Sequence, residues 1–179
     1  MKMNVADLIL KYLELEGVEY IFGISGAALN PFLAAFNRNP RIKAILTKHE
    51  GGAAFMADGY ARVKGSLGAC FATSGPGATN LVTGVATAYT DNIPIVVLTG
   101  QVSTTDYGKG TFQDSTSEGV DSVAIFSGIY NISKEWADSV SQARMKPYNI
   151  EKWLPEHDSS FRQSSKNPRT HGYGPKGSN

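Results

Sequence analysis

Apolar residues Val5, Leu8, Ile9, Tyr12 and Leu13 recur at spacings of three, one, three and one, which sets them on one face of a helix that Gly17 closes. Tyr20-Ile21-Phe22 follows as a short apolar run bounded by Gly23, and Leu29, Phe32, Leu33 and Phe36 then restart the helical period. The alternation continues with a strand over 42–46, a helix over about 51–63, a strand over 69–72, a helix over 78–89 and a strand over 95–99. Strands that alternate with helices predict a doubly wound α/β domain with an open, mostly parallel sheet, right-handed crossovers and helices on both faces. The unbroken apolar run 95–98 suits a strand buried on both sides. In such sheets ligands bind beyond the carboxyl ends of the strands, which makes four loops the candidate site: Gly23-Ile24-Ser25-Gly26, Thr47-Lys48-His49-Glu50, Thr73 with the four residues after it, and Thr99-Gly100-Gln101.

Beyond about residue 133 the period is lost. Residues 140–179 carry seven Lys or Arg against three Asp or Glu, a local charge of +4, together with four prolines. The last stretch, from Asn167 onward, has too few apolar side chains to offset the entropy of ordering it. The expected organisation is one domain over 1–139 and an irregular, basic, disordered tail over 140–179. A nucleic-acid-binding tail is the sharper alternative, but +4 over that length is modest.

Composition narrows the classes further. The chain has 179 residues, 41% hydrophobic and 18% charged, with a net charge of +1. That is the profile of a globular domain with no general attraction for nucleic acid or an anionic membrane. Cys70 is the single cysteine, so neither an internal disulfide nor a thiolate metal cluster can form, and a reducing cytoplasm is the expected compartment. Helical periodicity from Val5 leaves no room for a signal peptide, and Ile95-Val96-Val97-Leu98 is far too short to cross a bilayer.

Three segments carry candidate chemistry. Lys48-His49-Glu50-Gly51-Gly52-Ala53-Ala54-Phe55-Met56-Ala57-Asp58-Gly59-Tyr60-Ala61-Arg62 sets a carboxylate where a strand gives way to a helix, and Ala53, Ala54, Ala57 and Ala61 give that helix a small-residue face that another helix or a cofactor ring can approach closely. A glutamate at a helix start also simply complements the helix dipole. Ala72-Thr73-Ser74-Gly75-Pro76-Gly77-Ala78-Thr79-Asn80 runs from strand to helix, like a phosphate loop, yet neither it nor Gly23-Ile24-Ser25-Gly26 completes G-x-x-x-x-G-K-[ST] or G-x-G-x-x-G. Gly100-Gln101-Val102 and Gly110-Thr111-Phe112-Gln113-Asp114 form a third polar segment. His49 has no evident metal or nucleophile partner and reads as support for Glu50, and Cys70 reads as a small buried strand residue.

Together these strings, with the continuation Leu81-Val82-Thr83-Gly84-Val85-Ala86-Thr87-Ala88-Tyr89-Thr90-Asp91-Asn92-Ile93-Pro94, resemble the pyrimidine-binding domain of acetolactate-synthase-like thiamine diphosphate enzymes. The resemblance runs from about Val5 to Ser133 and implies a flavodoxin-like sheet. It implies that Glu50 is the catalytic carboxyl group, hydrogen-bonded to N1′ of the aminopyrimidine. Sharing a proton there favours the 4′-imino tautomer, whose nitrogen removes the C2 proton of the thiazolium so that C2 can attack a 2-oxo acid. Ser25, Gly26, Thr73, Pro76, Gly77 and Asn80 would line the pyrimidine, with Gly77 allowing close backbone approach. Phe112 and Gln113 would lie near the thiazolium and the bound oxo acid, Gln113 orienting it. The resemblance further implies pyruvate as substrate class, branched-chain amino acid biosynthesis as the setting, a homodimer, and FAD as a cofactor some relatives carry.

The sequence departs from that pattern in two places. Family members commonly read Gly-Ile-Pro-Gly-Gly-Ala where this chain has Gly23-Ile24-Ser25-Gly26-Ala27-Ala28, which frees one backbone dihedral and adds an N–H. Beyond Trp136 neither the closing helix nor a Gly-Arg-Pro-Gly-Pro segment is found, and no Gly-Asp-Gly of the magnesium-diphosphate site occurs. The expectation is therefore half a cofactor site, inactive alone and holding no metal itself. The magnesium and diphosphate would be held by the pyrophosphate-binding domain or subunit of a related enzyme, in a homo- or hetero-oligomer. The abrupt change of character favours a truncated product over a separate subunit. Two other readings remain: a non-catalytic module that pairs with full-length relatives, and a generic nucleotide-binding α/β domain.

Overall fold

The computed structural model describes residues 4–129, so the expected boundary at 139 and the tail over 140–179 lie outside the described residues. Helix α1 (Val5–Leu15) opens on Asn4, whose side chain accepts from the Asp7 N–H at 2.8 Å. It ends at Gly17, in the left-handed region at φ +79°, from where the Val18 N–H returns to the Leu13 carbonyl at 2.9 Å. Strand β1 (Tyr20–Gly23) leads through a 3₁₀ turn (Ala27–Leu29) to α2 (Asn30–Arg38), in whose first turn Pro31 sits. Then follow β2 (Lys43–Leu46), α3 (Glu50–Lys64), β3 (Gly68–Ala72), α4 (Pro76–Asn80), α5 (Val82–Thr90), β4 (Ile95–Thr99) and α6 (Ser122–Phe126).

All four strands are parallel, in the order β2-β1-β3-β4. This is the flavodoxin-like arrangement, with the switch in winding between β1 and β3. Alternate residues of the central strands feed two separate cores, as a period of two requires. Ile21, Ala69 and Phe71 pack with Leu10, Leu13, Leu29 and Ala35 on the α1/α2 side. Phe22, Cys70 and Ala72 pack with Ala53, Ala54, Ala57, Leu81 and Val85 on the α3/α5 side. Helices thus cover both faces of the sheet, as the alternation predicts.

Two local expectations are corrected. The continuous apolar run of β4 is only half-buried, because β4 is an edge strand among the described residues, whereas β3, flanked on both sides, is buried at every position. The helix expected over 78–89 is two helices. It starts earlier, with Pro76 in its first turn, and it is broken at Leu81, whose N–H bonds the Ala78 carbonyl at 3.1 Å in a tight i→i+3 turn.

The small-residue face of α3 is filled by protein. A Cβ at Gly84 of α5 would stand 2.5 Å from the Ala54 Cβ, and one at Gly68 of β3 would stand 2.2 Å from the Ala57 carbonyl oxygen. Helix and strand therefore reach the backbone of α3 through glycines. Cys70 lies in the same core, fully buried as expected, and loss of solvation pushes its thiol up to about 12. The native chain is expected to react with an aromatic disulfide reagent at neutral pH no faster than it unfolds, and the denatured chain within minutes, as thiol titration in and out of denaturant measures.

Candidate functional site

Glu50 is the first residue of α3, where N–H groups without helical partners carry a partial positive charge. His49 caps the helix: its Nδ1 accepts from the Gly51 N–H at 3.0 Å, a supporting role of the kind its position suggests. The turn that starts α3 thus directs the Glu50 side chain toward the loop after β3. Although charged, Glu50 is only 8% exposed. Its Oε2 accepts from Asn80 Nδ2 at 3.0 Å, and its Oε1 makes no hydrogen bond among the described residues.

The break at Leu81 ends α4 on Asn80, beside the carboxylate. Gly77, one turn earlier, is buried, and a Cβ there would stand 3.4 Å from Glu50 Oε1 and 2.7 Å from Thr73 Cγ2. Gly26, at the end of the β1 loop, is held against the same threonine: a Cβ on it would lie 2.5 Å from both Thr73 Cβ and Oγ1. Thr73 Oγ1 is itself buried with no hydrogen-bond partner. The loops after β1 and β3 therefore meet at the switch in strand order, and Glu50 joins them from the start of α3.

A third loop closes on the second. Gly75, in the left-handed region at φ +64°, donates its N–H to Ser115 Oγ, and a Cβ on it would stand 3.2 Å from Gln113 Cα. Gln101 Oε1 accepts from the Val102 and Ser115 N–H groups, at 2.8 and 3.2 Å.

Of the residues singled out in the sequence, Gly26, Glu50, Thr73, Gly77 and Asn80 form one contiguous group, and Gln113 is joined to it through Gly75. Ser25 and Pro76 are solvent-exposed, and Phe112 is 84% exposed. Gly75 and Gln101 fall within the loops the sequence singled out but were given no role of their own, and Ser115 falls outside them. The signals for Gly75 and Gln101 were present in the turn punctuation and the Gly-Gln-Val string, whereas nothing local marks Ser115.

The unbonded oxygen of the buried Glu50 lies beside Gly77, and the unpartnered Thr73 hydroxyl group is packed close to Gly26 and Gly77. Such a hydroxyl is costly to bury unpaired and favours a ligand that bonds it. Among the described residues no group of three His, Cys, Asp or Glu could hold a metal ion, and no helix is long and apolar enough to cross a membrane.

Residues 3–132 match the family model described as "Thiamine pyrophosphate enzyme, N-terminal TPP binding domain". The chain is 52% identical over 118 residues to a probable acetolactate synthase large subunit of Methanococcus aeolicus, a match covering 66% of this chain and 20% of that protein. It is 44% identical over 119 residues to the acetolactate synthase large subunit of Haemophilus influenzae, covering 66% and 21%. It is 46% identical over 110 residues to acetolactate synthase 3, chloroplastic, of Brassica napus, covering 62% and 17%. The matched part spans about a fifth of the length of these relatives.

Proposed function

The chain belongs to the thiamine pyrophosphate enzyme family through its N-terminal TPP-binding domain, and from that membership we propose that it supplies the pyrimidine half of the cofactor site of an acetolactate-synthase-like 2-oxo-acid carboligase. The observation that carries this reading is the buried Glu50 carboxyl group, tied by Asn80 on one oxygen and open on the other toward the Gly26, Thr73 and Gly77 cradle. Bound thiamine diphosphate would supply a carbon nucleophile and an electron sink for decarboxylation of a substrate of the pyruvate class.

The chain's own residues would bind and poise that group. The bond from Asn80 restrains Glu50, so that Oε1 would be free to share a proton with a ring nitrogen bound beside it. Gly26 and Gly77 let the loops after β1 and β3 close on Thr73 beside the carboxylate, and Thr73 Oγ1, without a partner there, would offer a hydrogen bond at the ring edge. Phe112 and Gln113 would face the oxo acid. The diphosphate and its magnesium would be held by a pyrophosphate-binding domain or subunit outside these 179 residues, with the two halves meeting in a homo- or hetero-oligomer, and the chain would be inactive alone.

Calorimetry tests the reading. Since the pyrimidine-side contacts do not involve the diphosphate, thiamine diphosphate should bind the chain weakly, with no response to magnesium, and free thiamine should compete with a dissociation constant within about tenfold of it. Glu50→Gln should weaken both. Tight, magnesium-dependent binding, or no binding of either compound, would overturn the assignment.

A further inference from the structure

Gln113 holds a backbone conformation that its chemistry disfavours. Its φ is +60°, and among the described residues only Asn92 shares a positive φ without being glycine. Asparagine tolerates the left-handed region because its short side chain bonds the local backbone, whereas glutamine lacks that reach. Such a conformation persists only where surrounding contacts over-determine it.

Those contacts are present on both sides of the residue. The Gly75 N–H donates to Ser115 Oγ across a sequence separation of 40. Gln101 Oε1 accepts from the Ser115 and Val102 N–H groups and so ties the segment to the loop after β4. Asp114 and Ser115 are buried, Asp114 Oδ1 accepts from the Thr116 N–H at 2.8 Å, and the Val120 N–H returns to the Asp114 carbonyl at 2.9 Å. Against this anchored pair the Gln113 backbone rests on Gly75, where a Cβ would press on it at 3.2 Å.

We propose that Ser115 and Gln101 are positioning residues: they clamp the 111–115 segment to the Thr73–Gly77 turn and thereby hold Gln113 in its left-handed conformation, aimed over the cofactor cradle. Neither touches the reacting atoms in this scheme. Each acts through Gln113, and the inference rests on the reading that Gln113 faces the bound oxo acid. One consequence is a division of labour within five residues, since Phe112 stays exposed and free to adapt while Gln113 is fixed by the buried pair that follows it.

The test uses the full chain without ligand and follows the Gly75 and Gln113 backbone amides by NMR. Ser115→Ala removes the acceptor, and Ser115→Thr keeps it. In Ser115→Ala the Gly75 amide should exchange roughly three- to tenfold faster, as loss of one such bond implies. The Gln113 backbone signals should move toward the averaged positions of an unrestrained glutamine. Ser115→Thr should restore both, and Gln101→Ala should reproduce the averaging while Gln101→Glu, which keeps an acceptor oxygen, should not. Should Ser115→Ala fail to fold, the Gln101 pair decides alone. Unchanged Gln113 signals in Ser115→Ala and Gln101→Ala would overturn the clamp. A failure of the cofactor reading shows separately, as absence of Glu50-dependent thiamine binding in a chain whose clamp still responds to these substitutions.

Discussion

Replacing Glu50 by glutamine is expected to slow hydrogen–deuterium exchange at C2 of bound thiamine diphosphate by at least about a hundredfold, the lower end of what general acid–base assistance contributes. The measurement is made in a complex of the chain with a pyrophosphate-binding domain of a related enzyme, at saturating cofactor. The substitution keeps the shape of the side chain and can keep the bond from Asn80 Nδ2, now accepted by the glutamine oxygen. What it removes is a carboxyl oxygen with which a ring nitrogen could share a proton, which an amide cannot replace. A purely structural glutamate at the start of α3 would behave differently: losing its charge would cost about 0.3–1 kcal/mol of stability and would leave C2 exchange unchanged. Exchange within a few-fold of the parent complex would therefore reduce Glu50 to a helix-start residue and remove the central assignment.

Gly23→Ala is expected to cost about 3 kcal/mol or more, which for a chain of this size lowers Tm by roughly 6–12 °C. Gly23 ends β1 opposite Phe71 of β3, and a Cβ there would lie 2.2 Å from the Phe71 carbonyl oxygen and 2.6 Å from its ring. No rotamer change relieves a clash with backbone, so the two central strands must part at the point from which the Gly26 and Thr73 loops emerge. Gly52→Ala is the control. Nothing lies within 4 Å of a Cβ at that exposed helical position, and alanine should stabilise by about 0.5–1 kcal/mol. A Gly23→Ala chain that melts with the parent would show that β1 and β3 are not in this register.

Much of this architecture was legible in the order of residues. Periods near 3.6 and short apolar runs identify the strand–helix alternation, and Glu50, set between a strand and an alanine-faced helix, is readable as the residue that opens α3 at the rim of the sheet. The parts that escaped are those decided by distant partners. The break at Leu81 changes no side-chain pattern, because it consists of one backbone bond shifted from i→i+4 to i→i+3. Half-burial of β4 depends on which strand lies beside it, and that is a property of topology, not of 95–98 themselves. The clamp at Ser115 pairs residues forty apart and selects a serine that no periodicity distinguishes. The exposure of Phe112 and the left-handed Gln113 belong to the same class, since the loop's shape is imposed by what it rests on.

The two glycine contacts of α3 differ in how they constrain the divergence of this sequence. Where Gly84 meets Ala54, the nearest obstacle is a methyl group, with α3 backbone behind it at 3.1 and 3.2 Å, so loss of that methyl at 54 relieves the worst contact of an alanine at 84. The two positions can drift as a coupled pair. Where Gly68 meets α3, the obstacle is the Ala57 carbonyl, which every amino acid carries, and no substitution at 57 makes room. Position 68 has no covarying partner there. Through that contact the middle of α3, two turns beyond Glu50, is referenced to the sheet by main-chain atoms, a datum that side-chain replacement around it leaves in place.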